Sequence, residues 1–216
     1  MMAIEAVIFD FGGVITASPF EAFNRFEAAR GLPRDFIRRV NATNPHENAW
    51  AHLERSSVDH DGFDRMFREE SRALGHEISG AEVLREISGA IRPRMVAALK
   101  TCKQSFKVGC ITNNFMTEEG DAHRIASAMG EVLELFDAVI ESAKAGLRKP
   151  DPRIYLMMCE LLGVEPRSCV YLDDLGINCK PAAALGMQAI KVADVDQTLA
   201  DLSRITGLTF DVEAQA

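Results

Sequence analysis

The sequence predicts a doubly wound α/β fold, a parallel sheet between layers of helices, interrupted by one inserted helical bundle. Three observations carry this prediction. Short apolar runs recur along the chain, each followed by helical sequence. The stretch from Ser18 to Arg92 contains no such run and reads as amphipathic helices alone. Several of the runs end on carboxylate, hydroxyl or amide residues, the sheet edge on which open α/β folds carry their ligands.

The first strand is "AVIFD" (6–10) and the second "KVGCITN" (107–113). "FDAVIES" (136–142), "CVYLDD" (169–174) and "QAIKV" (188–192) supply the others. Helical connections are expected over Arg94–Gln104, opened by Pro93, and over Pro152–Leu162, with Asp151 as N-cap and Gly163 as the stop. A third runs Ile177–Leu185 and ends at Gly186. Within the insert, Phe20, Phe23 and Phe26 form one apolar stripe, and "WAHLER" and "FDRMFREESRAL" form others. Those phenylalanines, with Trp50, read as bundle core rather than as a substrate pocket. Ser79 and Glu82 have the spacing of a capping box before "VLREI". Pro93 marks the return to the sheet. The α/β core is therefore drawn as 1–16 with 93–216, the helical insert as 17–92, and the terminal "DVEAQA" is expected to fray.

A chain of 216 residues suits one large domain or one domain with an insert. Hydrophobic content of 47% is that of an ordinary globular protein. A formal net charge of −8 argues against a nucleic-acid surface. No apolar run approaches the ~18 residues of a membrane span, and no secretory signal is visible. The cysteines, Cys102, Cys110, Cys159, Cys169 and Cys179, are odd in number and lack a C-x-x-C, which disfavours zinc and suits a reducing cytoplasm. Cys110 and Cys169 lie in strand-like runs, where cysteine behaves as a small hydrophobe. Oligomeric state leaves no signature.

Chemistry gathers at the strand ends. Asp10 ends the first strand, Thr112 and Asn113 the second, Asp173 and Asp174 a later one, and Lys149 lies in "GLRKPDPRIY" before a helix. Singly, each has a plain structural reading: a capped turn, a solvated acid pair, a lysine facing water. Jointly, a nucleophilic carboxylate, a hydroxyl, a cation and an acid pair make a set suited to phosphoryl transfer. The Thr and Lys can hold phosphate oxygens, and the acids can hold Mg²⁺.

"FDFGGV", "ITNN", "RKPDPRIY" and "YLDDLGIN" together resemble, in order, the four motifs of the haloacid dehalogenase superfamily. The helical insert falls where that superfamily carries its small cap. "LDDLGINCKPAAALGM" is especially similar to the N-terminal phosphatase domain of soluble epoxide hydrolases and to bacterial sugar-phosphatase-like proteins. The resemblance covers essentially the whole chain; no counterpart of the epoxide-hydrolase α/β-hydrolase domain is seen. It implies a Rossmann-like core and hydrolysis of a small phosphorylated substrate through an aspartyl-phosphate on Asp10. By the same resemblance, Lys149 would assist as the second catalytic group, and Mg²⁺ would be held by Asp10, Asp174, Asp173 nearby and the carbonyl of Gly12. Phosphate would be cradled by Thr112, Asn113, Lys149 and the Phe11–Gly12 main chain.

Gly12 departs from the pattern. Superfamily phosphatases usually place there an Asp that protonates the leaving alcohol, a role worth ~10²–10⁴ in rate. Dehalogenation needs no such acid, but that branch lacks the acid pair present here as Asp173 and Asp174. The phosphonatase branch uses a cap lysine, and the sequence has no lysine between Ala17 and Arg92. Phosphatase chemistry with a substituted or missing acid remains, Asp173, water, a substrate hydroxyl, His46, His52 and His60 being the substitutes considered. The histidines have the simpler reading of helix-surface residues, and "VDHDG" (58–62) that of an N-cap at Asp59 or Asp61. A pseudophosphatase that binds a phosphorylated ligand or partner without turnover is the alternative.

Overall fold

The computed structural model describes residues 3–86, 91–113 and 130–210. The five apolar runs form one sheet: β1 (Ala6–Phe9), β2 (Lys107–Thr112), β3 (Ala138–Glu141), β4 (Cys169–Asp173) and β5 (Gln188–Lys191). Their order is β3-β2-β1-β4-β5, and every pairing is parallel. The chain thus builds outward from β1 first to one side and then to the other, so strand order reverses between β1 and β4.

The strands read as near-continuous apolar runs because both faces are covered. Val7, Phe9, Val108, Cys110, Val170 and Leu172 enter one core, with α6 (Pro93–Lys103) and α10 (Val195–Thr206). Ala6, Ile8, Ile111, Cys169 and Tyr171 enter the other, with α8 (Pro152–Leu162). The start and stop signals of α8 fall as expected: the Asp151 carboxylate accepts from Arg153 N–H, Pro152 takes the first turn, and Gly163 closes it at φ 61°. The third connecting helix is α9 (Gly176–Ala184), shifted one residue toward the N-terminus of its expected span, with Pro181 inside it. A short helix, α7 (Ser142–Ala145), follows β3 directly.

Between β1 and α6 lie α1 (Pro19–Ala29), α2 (Phe36–Ala42), α3 (Ala49–Glu54), α4 (His60–Ala73) and α5 (Gly80–Glu86). They bury an apolar cluster of their own around Phe23, Phe26, Trp50, Phe63 and Phe67, with Phe20 packed at its margin. Asp59, not Asp61, caps α4, its side chain accepting from Gly62 N–H at 2.7 Å. The capping box at Ser79 is only half formed. Ser79 Oγ accepts from Glu82 N–H at 3.3 Å, but the Glu82 carboxylate turns outward to Arg30 at 3.2 Å, while the Ser79 hydroxyl donates to Asp64. The insert leaves and rejoins the core beside itself, at a bridge between Thr16 and Ile91. "DVEAQA" lies outside the described residues. Among the described residues, no helix is long and apolar enough to cross a membrane.

Candidate active site

The three central strands deliver the predicted residues to one edge. Phe9 is level with Cys110 on one side and Leu172 on the other, so Asp10 continues level with Ile111 and Asp173, and Thr112 and Asn113 stand just beyond. Asp10 N–H still donates to Leu172 O at 2.8 Å, which keeps it in register after the strand ends.

The chain then turns through Phe11–Ile15, with Gly12 extended at φ −71° and Gly13 left-handed at φ 79°. Only glycine suits position 13. Beyond the backbone cost, an added Cβ would come within 2.2 Å of the Asp174 carboxylate. Arg92 Nη1 donates to Gly13 O at 3.0 Å, fixing this turn from the segment where the chain returns from the insert. Gly12 is the opposite case, since a Cβ there meets no atom of the described residues within 4 Å. Among the described residues, the position that lacks an acid is open space.

Lys149 is the centre of the cluster, with only 1% of its side chain exposed. Its Nζ lies 2.7 Å from Asp10 Oδ1 and donates to Asp173 Oδ2 at 2.8 Å. Burial opposes the ammonium, but the charges of Asp10 and Asp173 outweigh it and hold the lysine above its ordinary pKa. Its main chain is equally fixed: Asn113 Oδ1 accepts from Lys149 N–H at 2.9 Å, and Asn113 Nδ2 donates to Lys149 O at 3.0 Å.

Asp10 Oδ1 also accepts from Phe11 N–H at 2.7 Å, so the Phe11 amide is already engaged. No described residue donates to Asp10 Oδ2. Burial raises the Asp10 carboxyl against the pull of Lys149, and the charges of Asp173 and Asp174 add to the rise.

Asp173 is wholly buried and its oxygens are filled. It accepts from Lys149 Nζ, from Tyr171 Oη at 2.6 Å, from Leu175 N–H at 2.8 Å and from Asn178 Nδ2 at 3.1 Å. Tyr155 Oη donates to Asn178 O at 2.8 Å, tying α8 to the same network. Asp174 is less enclosed and receives the Ser18 hydroxyl on Oδ2 at 3.1 Å. Burial, then the charge of Asp173, push its carboxyl up to about 6. Asp10, Asp173 and Asp174 each present an oxygen such that all three atoms lie within 4.8 Å of one another. One lysine against three carboxylates leaves a surplus of negative charge and hard oxygen donors, a set that fits Mg²⁺.

The candidate substitutes for the missing acid stand elsewhere. His52 Nδ1 is 2.9 Å from Ser57 Oγ and its Nε2 3.4 Å from Glu47, within the insert. None of His46, His52 or His60 belongs to the carboxylate cluster. Sequence reading missed Tyr171, Asn178 and Ser18. A tyrosine within an apolar strand and an asparagine inside a helix read as packing, and Ser18 lies 156 residues from its partner.

A family model described as haloacid dehalogenase-like hydrolase matches residues 4–186. The chain belongs to this family. Among relatives, it is 32% identical over 224 residues to mouse bifunctional epoxide hydrolase 2, a match that covers 97% of this chain and 40% of that protein. The chain therefore spans well under half the length of the curated epoxide hydrolases it matches. A phosphatase of Mycobacterium tuberculosis is 28% identical over 214 residues, covering 91% of each protein. Among solved structures, a haloacid dehalogenase family enzyme of Bacteroides thetaiotaomicron, in complex with magnesium and inorganic phosphate, superposes with a TM-score of 0.59. That match has 19% identity and covers 89% of this chain and 97% of the other, a likeness of fold.

Proposed function

We propose that this haloacid dehalogenase-like hydrolase is a Mg²⁺-dependent phosphatase of a small phosphorylated metabolite, with Asp10 as nucleophile. The observation that carries the reading is the state of the Asp10 carboxylate. One oxygen is pinned by Lys149 and by Phe11 N–H, and no described residue donates to the other, so the carboxylate is oriented with an oxygen available to attack phosphorus. Attack forms an aspartyl-phosphate and releases the alcohol; water then cleaves the acyl-phosphate and restores Asp10.

Lys149, Thr112 and Asn113 are assigned to the phosphoryl oxygens, with the Phe11–Gly12 main chain at the same turn. Lys149 also offsets the negative charge that two carboxylates and a phosphate bring together. Of the acid pair, Asp174 suits direct metal binding with Asp10 and the Gly12 carbonyl. The filled oxygens of Asp173 suit it to anchoring Lys149 beside the metal. Bound Mg²⁺ would supply Lewis-acid stabilisation of charge on the transferring group. The insert, 17–92, is read as the cap that shields this chemistry from water. The acid surplus around Asp10 weighs against dehalogenation, which needs no metal. The odd number of cysteines and the lack of a C-x-x-C support a reducing, cytoplasmic setting.

Gly12 sets the test. With no acid at that position, and with Asp173 committed to its own donors, an activated aryl phosphate should be hydrolysed at least ~10²-fold faster than an alkyl phosphate. Equal rates would show that a proton donor operates after all. The open space beside Gly12 also favours a second reading, a pseudophosphatase, which binds inorganic phosphate but releases product from neither ester.

A further inference from the structure

Four residues of the insert and the core meet away from the carboxylate cluster. Glu54 ends α3, and its carboxylate receives Arg148 Nε at 2.6 Å and Arg148 Nη2 at 2.6 Å. Arg148 Nη1 donates to Pro45 O at 2.9 Å, and the Ser142 hydroxyl donates to Glu54 O at 2.7 Å. Both charged side chains are almost covered, Arg148 at 17% and Glu54 at 15% exposed. A carboxylate at the C-terminal end of a helix opposes the helix dipole, and a buried ion pair stabilises a fold no better than apolar packing does. What such a pair supplies is a fixed register between two surfaces.

The register here leads directly to Lys149. Arg148 is its chain neighbour, and Asn113 clamps the Lys149 peptide from the other side through both N–H and C=O. Burial raises the Glu54 carboxyl, and Arg148, then Lys149 and Asn113, act against that rise. From the insert to the Lys149 backbone there is one ion pair and one peptide unit.

We infer that the Glu54–Arg148 pair is the device by which the insert positions Lys149 over Asp10, with Arg148 the positioning residue and Glu54 its partner on the insert. This rests on reading Lys149 as the cation of a phosphatase site.

The test is a double-mutant cycle on para-nitrophenyl phosphate hydrolysis with Glu54→Gln, Arg148→Gln and both together, in protein whose melting is checked. Each single change should lower kcat about tenfold or more while KM stays within about threefold, and the double variant should be no worse than the poorer single. Arg148→Lys, which keeps the charge but not the fork of donors, should fall between wild type and Arg148→Gln. Independently of turnover, hydrogen exchange at the Lys149 amide should quicken in each single variant more than at β1 amides. Losses that multiply in the double variant, or unchanged exchange at Lys149, would overturn the inference. A wild-type protein that hydrolyses no ester, yet shows the exchange response, would fail the phosphatase reading and leave the positioning device standing.

Discussion

Replacing Lys149 by Met removes from a buried acid cluster the one cation that the described residues place there, and keeps much of the side-chain volume. The lysine Nζ sits 2.7 Å from one carboxylate and 2.8 Å from another. At an effective dielectric of about 20, each contact is worth roughly 6 kcal/mol before desolvation. Returning a buried ammonium to water recovers several kcal/mol of that, so the net loss of stability should be about 3–5 kcal/mol, the usual result of orphaning a buried charge. Asp10, already raised by burial and by the charges of Asp173 and Asp174, would then lose the pull of Lys149 and rise further. A carboxyl whose folded pKa rises above its unfolded value makes the fold less stable as pH increases through that value. The deficit of Lys149→Met should therefore be largest above neutrality and shrink toward pH 5. Urea unfolding at a series of pH values measures this, and turnover of para-nitrophenyl phosphate should fall about 10²–10⁴-fold in parallel. A variant within about 1 kcal/mol of wild type at pH 8, or within tenfold in turnover, would refute the central place given to Lys149.

The two adjacent glycines should respond in opposite ways. Gly12→Asp enters open space and should change stability by less than about 1 kcal/mol while raising turnover of alkyl phosphates over aryl ones. Gly13→Ala must adopt φ 79° and displace Asp174, so it should cost about 1–3 kcal/mol and abolish the rise in melting temperature on adding Mg²⁺. In the insert, Asp64 titrates at about 2 rather than 3.8: burial would raise it, but the Ala81 N–H, Arg68 and Ser79 outweigh that. Its contribution, on the order of 2 kcal/mol, is complete above about pH 4 and is lost as the pH falls through about 2. Asp64→Asn should thus destabilise the protein at pH 7 and have little effect near pH 2, as read by chemical denaturation.

The sheet was legible in the sequence because β1, β2 and β4 are buried on both faces, which forces unbroken apolar runs. The limits of α8 were legible because Asp151, Pro152 and Gly163 each do a local job that leaves a local mark. Asp10, Lys149 and the Asp173–Asp174 pair could be named because parallel strands carry consecutive segments to one edge. What supports them could not. Tyr171 alternates as a core residue should, and only the fold shows its hydroxyl reaching Asp173. Glu54 and Arg148 lie 94 residues apart, each ordinary on its own segment. The Ser79 capping box had the right spacing but lost Glu82 to Arg30, a tertiary partner no local pattern reveals.

The most direct measurement is para-nitrophenyl phosphate hydrolysis by wild type and Asp10→Asn, each with Mg²⁺ and with EDTA. Hydrolysis by wild type that requires Mg²⁺ and vanishes in Asp10→Asn is the expected result. Turnover that persists in Asp10→Asn, or is indifferent to EDTA, would contradict Asp10 as the nucleophile of a metal-dependent phosphatase.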